Sequence, residues 1–351
     1  MGNIPKRVAI VYDWVDKWGG AERVLLALHE MFPEAPLYTA VYDSKKAPWA
    51  GVFPKIYAPK FILKHEWFPW LMPLIFESFN FDEYDLVISV TSFAAKGIIT
   101  KPGTKHICYC LTPTRFLWNH YDDYKNSLNL ILKLVTKPIF KYLKYWDKFA
   151  AKRPDKIIAI SKTVQKRVKE YYGLDSVVVH PPVNIEQYRN IYPKPEIVDF
   201  FLYVGRLVAY KQVQIIVETF NELNLPLAII GLGDLEQKLK KIAKKNIIFL
   251  GQLSDDVVAQ YLQHAKGLVY FHEEDFGIVP VEAMASGTPV LGFTKGGTTE
   301  TVVDEITGVL DFNLKNAIYR FNKIDFDKEA IRERAKLFSK EKFMLNFKDN
   351  L

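Results

Sequence analysis

Cysteine is nearly absent from this sequence, which has only Cys108 and Cys110 among its 351 residues. The two lie two positions apart in one predicted strand, so their side chains point to the same face, where a structural disulfide would be unusual. With no other cysteine, a reducing cytoplasm is the simpler interpretation. A Cys-x-Cys pair without clustered histidines is also a poor metal site, so buried thiols are expected.

Long apolar runs, targeting signals and nucleic-acid motifs are missing as well. No run of about 18 uncharged apolar residues occurs, so no transmembrane helix is expected. The opening MGNIPKR leads straight into a predicted strand, which argues against a secretory signal. The net charge of +7 suits an anionic partner such as nucleic acid, an anionic membrane or a nucleotide substrate. Because no zinc-finger, RNP or homeodomain pattern occurs, nucleic acid ranks last among the three.

The chain is long enough for two domains, and its pattern restarts after a proline-punctuated segment, residues 181–195. On both sides short apolar strands alternate with helices, which predicts parallel sheets covered by helices. The predicted fold class is α/β, with two Rossmann-like domains facing each other across a cleft. The first domain is expected over residues 1–190 and the second over 191–329, before a charged helical tail. The expected strands are residues 7–13, 37–41, 85–90, 106–111, 156–161, 177–180, 200–204, 227–230, 247–250, 268–271 and 290–293.

The most informative stretch covers residues 267–297. It reads as a strand, an acidic turn at 273–275, a helix, a second strand and a glycine turn. In such sheets ligands bind outside the carboxyl ends of the strands, and a helix N-terminus suits a phosphate group. Gly277 would let a ligand approach the backbone, and Glu282, eight residues after Glu274, could accept hydrogen bonds from a ribose diol. The plainer interpretation is that the acids only stabilise the helix start.

Other candidate residues also follow predicted strands. Arg206 and Lys211 come after the first strand of the second half, where an arginine can bind phosphate oxygens bidentately and a lysine acts as a point charge. Gly231 and Leu253 follow the next two strands of that half. Gly19-Gly20 lies between the first strand of the chain and a helix, which is again a phosphate-binding arrangement. Taken alone, the Arg206 and Lys211 pair could be ordinary surface residues, and the glycine loops could be plain turns.

Two segments combine aromatic or apolar residues with lysines. Residues 61–81 are rich in Phe and Trp, and residues 125–153 form a predicted helix with Lys133, Lys137, Lys141, Lys144 and Lys148 along one stripe. A basic amphipathic helix of this kind commonly lies on anionic lipid, so we expect a membrane-facing surface. A buried helical hairpin for the first segment, and a solvated charged face for the second, are the open alternatives.

The stretch FGIVPVEAMASGTPV, preceded by Glu274 and containing Glu282, resembles the E-x7-E signature of retaining group 1 glycosyltransferases of the GT-B fold. The downstream GGTTETV extends the match. The resemblance implies that Glu274 contacts the transferred sugar, and that Arg206 and Lys211 contact the diphosphate of a nucleotide-sugar donor. The other donor contacts that it implies are Gly19, Gly20, Gly231, Leu253, Glu282 and the backbone N–H groups of Phe276, Gly277, Ile278 and Val279.

Further segments, including GGAERVL, ALHEMFPEAPLYT and YVGRLVAYKQV, resemble bacterial mannosyltransferases of O-antigen or exopolysaccharide assembly. This likeness implies GDP-mannose as donor, a lipid-linked glycan as acceptor, and a cytoplasmic enzyme on the inner face of the cell membrane. It also implies that the last helix, about residues 330–351, crosses back to the first domain. The Asp-x-Asp at 325–327 lies near the C-terminal tail and is read as surface or capping, so no metal and no cofactor besides the donor substrate is expected.

One position departs from the family pattern. Relatives often read Cys-His-Thr-Pro where this chain has Leu111 before Thr112, and the missing histidine contacts the donor sugar. His120 and His272 are candidate substitutes, although a surface position is the plainer interpretation of His272. The sequence therefore predicts a mannosyltransferase. It leaves open a GT-B synthase acting on a soluble sugar, and a catalytically weak protein that binds nucleotide sugars.

Overall fold

The computed structural model describes residues 7–59, 68–119, 121 and 130–351, with side chains in these ranges except at 130–135. The chain divides into two compact units, one ending at Pro181 and including Met344–Leu351, the other running from Pro182 to Phe343. This division falls before the boundary that we predicted after residue 190. The reason is that the 3₁₀ turn Gln187–Arg189 packs on helices of the second unit, and Val183 pairs with Ser339.

A seven-stranded parallel sheet forms the centre of the first unit. Its strands are β1 (Val8–Tyr12), β2 (Leu37–Thr39), β3 (Ile56–Tyr57), β4 (Leu86–Thr91), β5 (Lys105–Cys110), β6 (Lys156–Ala159) and β7 (Val177–Val178). The order is β3-β2-β1-β4-β5-β6-β7, so the winding reverses between β1 and β4. The central strands are buried along their length, as apolar runs predict for a sheet covered on both faces. Strand β3 was not predicted.

Helices cover this sheet. They are α1 (Gly20–Met31), α2 (Met72–Ser78), α3 (Leu130–Ala150) and α4 (Lys162–Tyr172). Helix α1 buries Val24, Leu25 and Leu28, which is the face that the sequence pattern predicts. Helix α4 begins after Ser161, whose hydroxyl oxygen accepts a hydrogen bond from a backbone N–H in the first turn. The described residues contain no helix that is both long and apolar enough to span a bilayer.

The second unit contains a six-stranded parallel sheet of order β10-β9-β8-β11-β12-β13. Its strands are β8 (Phe201–Val204), β9 (Leu227–Ile230), β10 (Ile247–Gly251), β11 (Gly267–Tyr270), β12 (Val290–Phe293) and β13 (Gly308–Asp311). The helices are α5 (Val213–Leu223), α6 (Glu236–Ile242), α7 (Asp255–His264), α8 (Ile278–Ala285), α9 (Thr298–Thr301), α10 (Leu314–Phe321) and α11 (Lys328–Lys336). Helix α12 (Lys340–Lys348) begins in this unit, and its residues from Met344 onward belong to the first unit. The two predicted parallel sheets are thus confirmed, and β13 is an addition.

The C-terminal tail is two helices rather than one, because α11 ends before Leu337 and α12 begins at Lys340. Asp327 caps α11 by accepting a hydrogen bond from the N–H of Glu329, so its predicted capping role is confirmed. Residues from Met344 onward belong to the first unit. There Phe347 is fully buried against Tyr109, with ring centroids 6.0 Å apart.

The aromatic segment at 61–81 is only partly within the described residues, since 60–67 lie outside them. In the described part, Phe76 and Phe81 are buried in the core of the first unit, and Phe79 packs against Tyr38. These three rings therefore follow the buried alternative. The lysines of helix α3 are not buried in this way, since Lys137, Lys141, Lys144 and Lys148 are all exposed. The side chain of Lys133 lies outside the description.

Candidate active site in the second unit

Two neighbouring strands bring the predicted charged residues together. Arg206 and Lys211 follow β8, Glu274 follows β11, and β8 and β11 are adjacent in the sheet. Lys211 Nζ lies 3.0 Å from Glu274 Oε2, and both side chains are partly exposed, at 11% and 16%. The carboxyl edge of the second sheet therefore carries an ion pair that a ligand can reach.

Tyr210 connects the two cations. An Arg206 Nη2–H donates to the Tyr210 hydroxyl at 2.8 Å, and the Lys211 ammonium lies 6.0 Å from the centroid of the same ring. The hydroxyl of Tyr203 donates to the Arg206 carbonyl oxygen at 3.0 Å, which fixes the backbone at the end of β8. Two cations on one partly exposed turn form an arrangement suited to an anion such as a diphosphate. Sequence reasoning missed Tyr210, although its place between Arg206 and Lys211 was visible.

Three donors converge on one oxygen of Glu274. Besides Lys211, the His272 Nε2 lies 3.3 Å and the Tyr270 hydroxyl 3.5 Å from Glu274 Oε2. His272 is fully buried, which corrects the interpretation of it as a surface residue at a strand end. Burial lowers the pKa of His272, with a further contribution from Lys211 that the Glu274 hydrogen bond opposes. Burial also raises the pKa of Tyr270 well above its usual value, so the phenol keeps its proton.

The turn after Glu274 is shaped by glycines. Gly277 adopts a left-handed conformation, φ 87°, immediately before α8, and the half-buried Ile278 and Val279 begin that helix. The N–H of Gly297 donates to the Glu274 carbonyl oxygen at 2.8 Å. A Cβ at Gly297 would lie 2.2 Å from the Cα of Phe276, so only glycine allows this approach. The predicted helix start is therefore present, and it is held by the later glycine turn.

Glycines also line the carboxyl ends of β8, β9 and β10. A Cβ on Gly231 would lie 2.0 Å from the Gly205 carbonyl oxygen, and the N–H of Gly231 donates to the Gly251 carbonyl oxygen at 2.7 Å. These contacts bring the backbone of the three strands close together beside Arg206. Leu253 is half-buried just beyond Gly251. Glu282 is 3% exposed within α8, and its predicted contact with a ribose stays a prediction.

The predicted residues of the first unit form a separate set. Gly19 and Gly20 lie at the start of α1, and a Cβ on Gly19 would lie 3.1 Å from Glu22 Oε2. The Tyr12 hydroxyl donates to Glu22 Oε1 at 2.9 Å, and burial raises the pKa of this carboxyl group. Thr112, after β5, is buried, and its hydroxyl has no hydrogen-bond partner among the described residues. His120 lies outside the described residues.

The part of the chain that the structure describes contains no group of three or more His, Cys, Asp or Glu side chains placed to hold a metal ion. Cys108 and Cys110 are free and buried there, and burial raises the pKa of Cys108 to about 12. The predicted absence of a metal cofactor stays a prediction.

Comparison with known families identifies the class of protein. The family "Glycosyl transferases group 1" matches residues 184–317, and "Glycosyltransferase Family 4" matches residues 18–187. The two matches together run from residue 18 to residue 317. The chain belongs to the group 1 glycosyltransferases, as the E-x7-E pattern predicted.

Individual glycosyltransferases show which members of the family this chain resembles. An uncharacterized glycosyltransferase of Methanocaldococcus jannaschii is 31% identical over 56% of this chain and 58% of its own length, so the match spans little more than half of that relative. The O-antigen chain mannosyltransferase C of Escherichia coli is 24% identical over 86% of this chain and 83% of its own. The chain therefore resembles O-antigen mannosyltransferases, which confirms the expected likeness.

Among solved structures, Anabaena HepE in complex with UDP superimposes with a TM-score of 0.72 at 15% identity. The superposition covers 98% of this chain and 99% of HepE. At this identity the likeness concerns the fold alone. Together with the two parallel sheets, it confirms the predicted GT-B fold with two Rossmann-like domains.

Proposed function

We propose that the protein transfers mannose from GDP-mannose, with retention of configuration, to a lipid-linked glycan during synthesis of a cell-surface polysaccharide. The observation that carries the proposal is the convergence of Arg206, Lys211 and Glu274 at the carboxyl edge of the second sheet. A sugar nucleotide presents a diphosphate for the two cations and sugar hydroxyls for the carboxylate. The segments that follow β8 and β11 together provide both kinds of contact.

The chemistry requires stabilisation of the departing diphosphate. Negative charge grows on the leaving oxygen as the glycosidic bond breaks, and fixed cations stabilise that charge without reorganising. In our proposal Arg206 and Lys211 perform this task, and the N–H groups of residues 276–279 add donors at the start of α8. Glu274 orients the sugar through its hydroxyl groups, and Glu282 binds the ribose. Gly231 and Leu253 complete the proposed donor contacts of the second unit, and the donor contacts expected of Gly19 and Gly20 stay a prediction.

The sugar and the acceptor are inferred from relatives. The match to an O-antigen chain mannosyltransferase covers most of both chains, and it supports mannose and a glycan acceptor. HepE shows that the same fold holds UDP. The preference for GDP over UDP in this chain is therefore part of the proposal, and a donor panel tests it.

A surface on α3 supports peripheral attachment to the cytoplasmic face of a membrane. Its exposed lysines alternate with exposed aromatic side chains, namely Tyr142, Tyr145 and Phe149, of which Tyr145 is 75% exposed. Aromatic rings suit the headgroup region of a bilayer, and lysines are attracted to anionic lipid. We name this surface, Lys137 to Phe149, the basic aromatic face. It would bring the enzyme to a lipid-linked acceptor.

The test is transfer of radiolabelled sugar from a panel of GDP- and UDP-sugars to an extracted lipid-linked glycan, with the anomeric configuration of the product read by NMR. We expect transfer from GDP-mannose with an α-linked product. Arg206→Met should abolish transfer, whereas Lys238→Met, an exposed lysine on α6, should not. Transfer from a UDP-sugar alone would overturn the donor assignment. An inverted product would overturn retention.

A second candidate function rests on Leu111. The histidine that relatives carry at this position is missing, so a protein that binds nucleotide sugars but turns them over slowly is the strongest rival. Binding of GDP-mannose without turnover, under conditions where the lipid-linked acceptor is present, would favour that rival. Transfer to a free sugar instead of the lipid-linked glycan would favour a synthase.

A further inference from the structure

Lys211 has two possible partners in the proposed mechanism. In the structure its Nζ lies 3.0 Å from Glu274 Oε2. A donor diphosphate carries more negative charge than one carboxylate, so it attracts the same ammonium group. When Lys211 turns to the phosphate, Glu274 loses its closest contact at Oε2. A second donor at that oxygen can then keep the carboxylate oriented towards the sugar.

His272 is placed to be this second donor. Its side chain is fully buried, its Nε2 lies 3.3 Å from Glu274 Oε2, and its ring packs on Tyr270 with centroids 4.2 Å apart. The other ring nitrogen, Nδ1, has no hydrogen-bond partner among the described residues. Within the described residues, this imidazole therefore makes its side-chain hydrogen bond to Glu274. Rotating this buried imidazole away from Glu274 would break its hydrogen bond, which costs free energy.

We propose that His272 is a positioning residue that donates its Nε2–H to Glu274 and keeps that carboxylate in place while Lys211 serves the donor diphosphate. This inference rests on the proposed function, because it assumes a donor with both a sugar and a diphosphate. Lys211 and His272 both contact Glu274 Oε2, and the inference gives them different roles. His272 holds Glu274 when Lys211 contacts the diphosphate, and the more distant Tyr270 hydroxyl gives weaker support.

The burial of the ring fits this assignment. A low pKa keeps the imidazole neutral, so it donates one hydrogen bond without adding a charge that would compete with Lys211 for the phosphate. A lysine or arginine at this position would draw the diphosphate towards the sugar subsite. A neutral donor avoids that conflict and still fixes the carboxylate.

Two amide substitutions of similar polarity separate positioning from structural support. The side-chain nitrogen of glutamine reaches the position of the imidazole Nε2, and that of asparagine reaches only the position of Nδ1. We expect His272→Gln to keep kcat within about threefold of wild type, and His272→Asn to lower kcat by about 10- to 100-fold, as for loss of a hydrogen bond to a charged group. The KM for the donor should rise in His272→Asn only by the part of the affinity that the sugar contributes, because the cations still bind the diphosphate.

Binding of GDP, which lacks the sugar, provides the control. Calorimetric titration should give the same GDP affinity for wild type, His272→Gln and His272→Asn, while GDP-mannose should lose its extra affinity only in His272→Asn. Equal kcat in both variants and wild type would overturn the role of His272, and so would an equal loss of GDP affinity in both variants. If wild type binds neither ligand, the proposed function fails first, which distinguishes the two failures.

Discussion

Two of the lysine–acid pairs, one in each unit of the molecule, differ in burial. Lys96 Nζ lies 2.6 Å from Asp147 Oδ1 in the first unit, with the side chains 3% and 0% exposed. Lys211 Nζ lies 3.0 Å from Glu274 Oε2 in the second, with the side chains 11% and 16% exposed. The first pair is sealed in protein, whereas the second is open at the edge of a sheet.

The hydrogen bonds around the two acids show what the difference means. Asp147 accepts from Lys96, from the Thr114 hydroxyl and Trp118 Nε1 at 2.7 Å each, and from the Tyr172 hydroxyl at 2.8 Å. These donors come from separate segments, so Asp147 joins α3, α4 and the loop after β5. Burial alone would lower the pKa of Lys96, but the Asp147 carboxylate outweighs it and the pKa is raised. A buried pair with several hydrogen bonds stabilises a fold, whereas a partly exposed pair can exchange partners.

The largest effect is expected from breaking the buried pair. Asp147→Ala leaves Lys96 charged and unpaired in the core and removes the acceptor of three further donors. We expect a loss of about 3–5 kcal/mol in the free energy of unfolding, measured by urea denaturation. The control is Asp175→Ala, which removes a pair whose side chains are 61% and 94% exposed and should cost less than about 1 kcal/mol. Similar losses in both variants would contradict the structural role of Asp147.

The open pair should behave in the opposite way. Lys211→Met removes a cation from the proposed leaving-group site, so transfer should fall by about 100- to 1000-fold. The free energy of unfolding should change by less than in Asp147→Ala, because Glu274 is partly exposed to water and keeps its contact with His272. Initial rates and urea denaturation of the same preparation check both halves. A large loss of stability would place Lys211 with Lys96 as a structural residue.

Each of the two acids contacts one tyrosine hydroxyl, which allows a closer comparison. Tyr172→Phe removes a 2.8 Å hydrogen bond to buried Asp147 and should cost about 1.5–3 kcal/mol of stability. Tyr270→Phe removes a 3.5 Å contact to Glu274, which is at the outer limit of a hydrogen bond, and should cost less than about 0.5 kcal/mol. Thermal unfolding of the two variants measures the difference. Equal costs would show that distance and burial do not separate the two acids.

Lysines outside both pairs give the smallest effect. Lys141→Ala on the basic aromatic face should weaken binding to vesicles containing phosphatidylserine by about 1 kcal/mol, or about fivefold. Lys238→Ala on α6 is the matched control and should change nothing. Binding should also fall as salt is raised, because exposed charges are screened. Co-sedimentation at two salt concentrations measures this, and salt-independent binding would contradict the membrane surface.

Much of this fold was predictable because strands and their following loops leave local signals. The bounds of β9 and β12 were predicted as they occur, and Lys211 and Glu274 meet because each follows a strand of one parallel sheet. The short β3 gave no signal, since two residues carry no periodicity.

The buried contacts were much less predictable. Asp147 appeared in the sequence only as a single acid within a basic helix, whereas the structure pairs it with Lys96, 51 residues away. His272 was read as a surface residue because burial depends on packing between elements that the local sequence does not specify. Long-range pairing and side-chain burial are therefore what the structure adds, and they separate the two lysine–acid pairs.

The central claim is that the cations after β8 bind the diphosphate of a sugar nucleotide, and titration calorimetry with GDP tests it most directly. Wild type should bind GDP, and Lys211→Met should bind it at least about tenfold more weakly through loss of a charged contact. Lys238→Met should match wild type. Equal GDP affinity in Lys211→Met and wild type would contradict the claim.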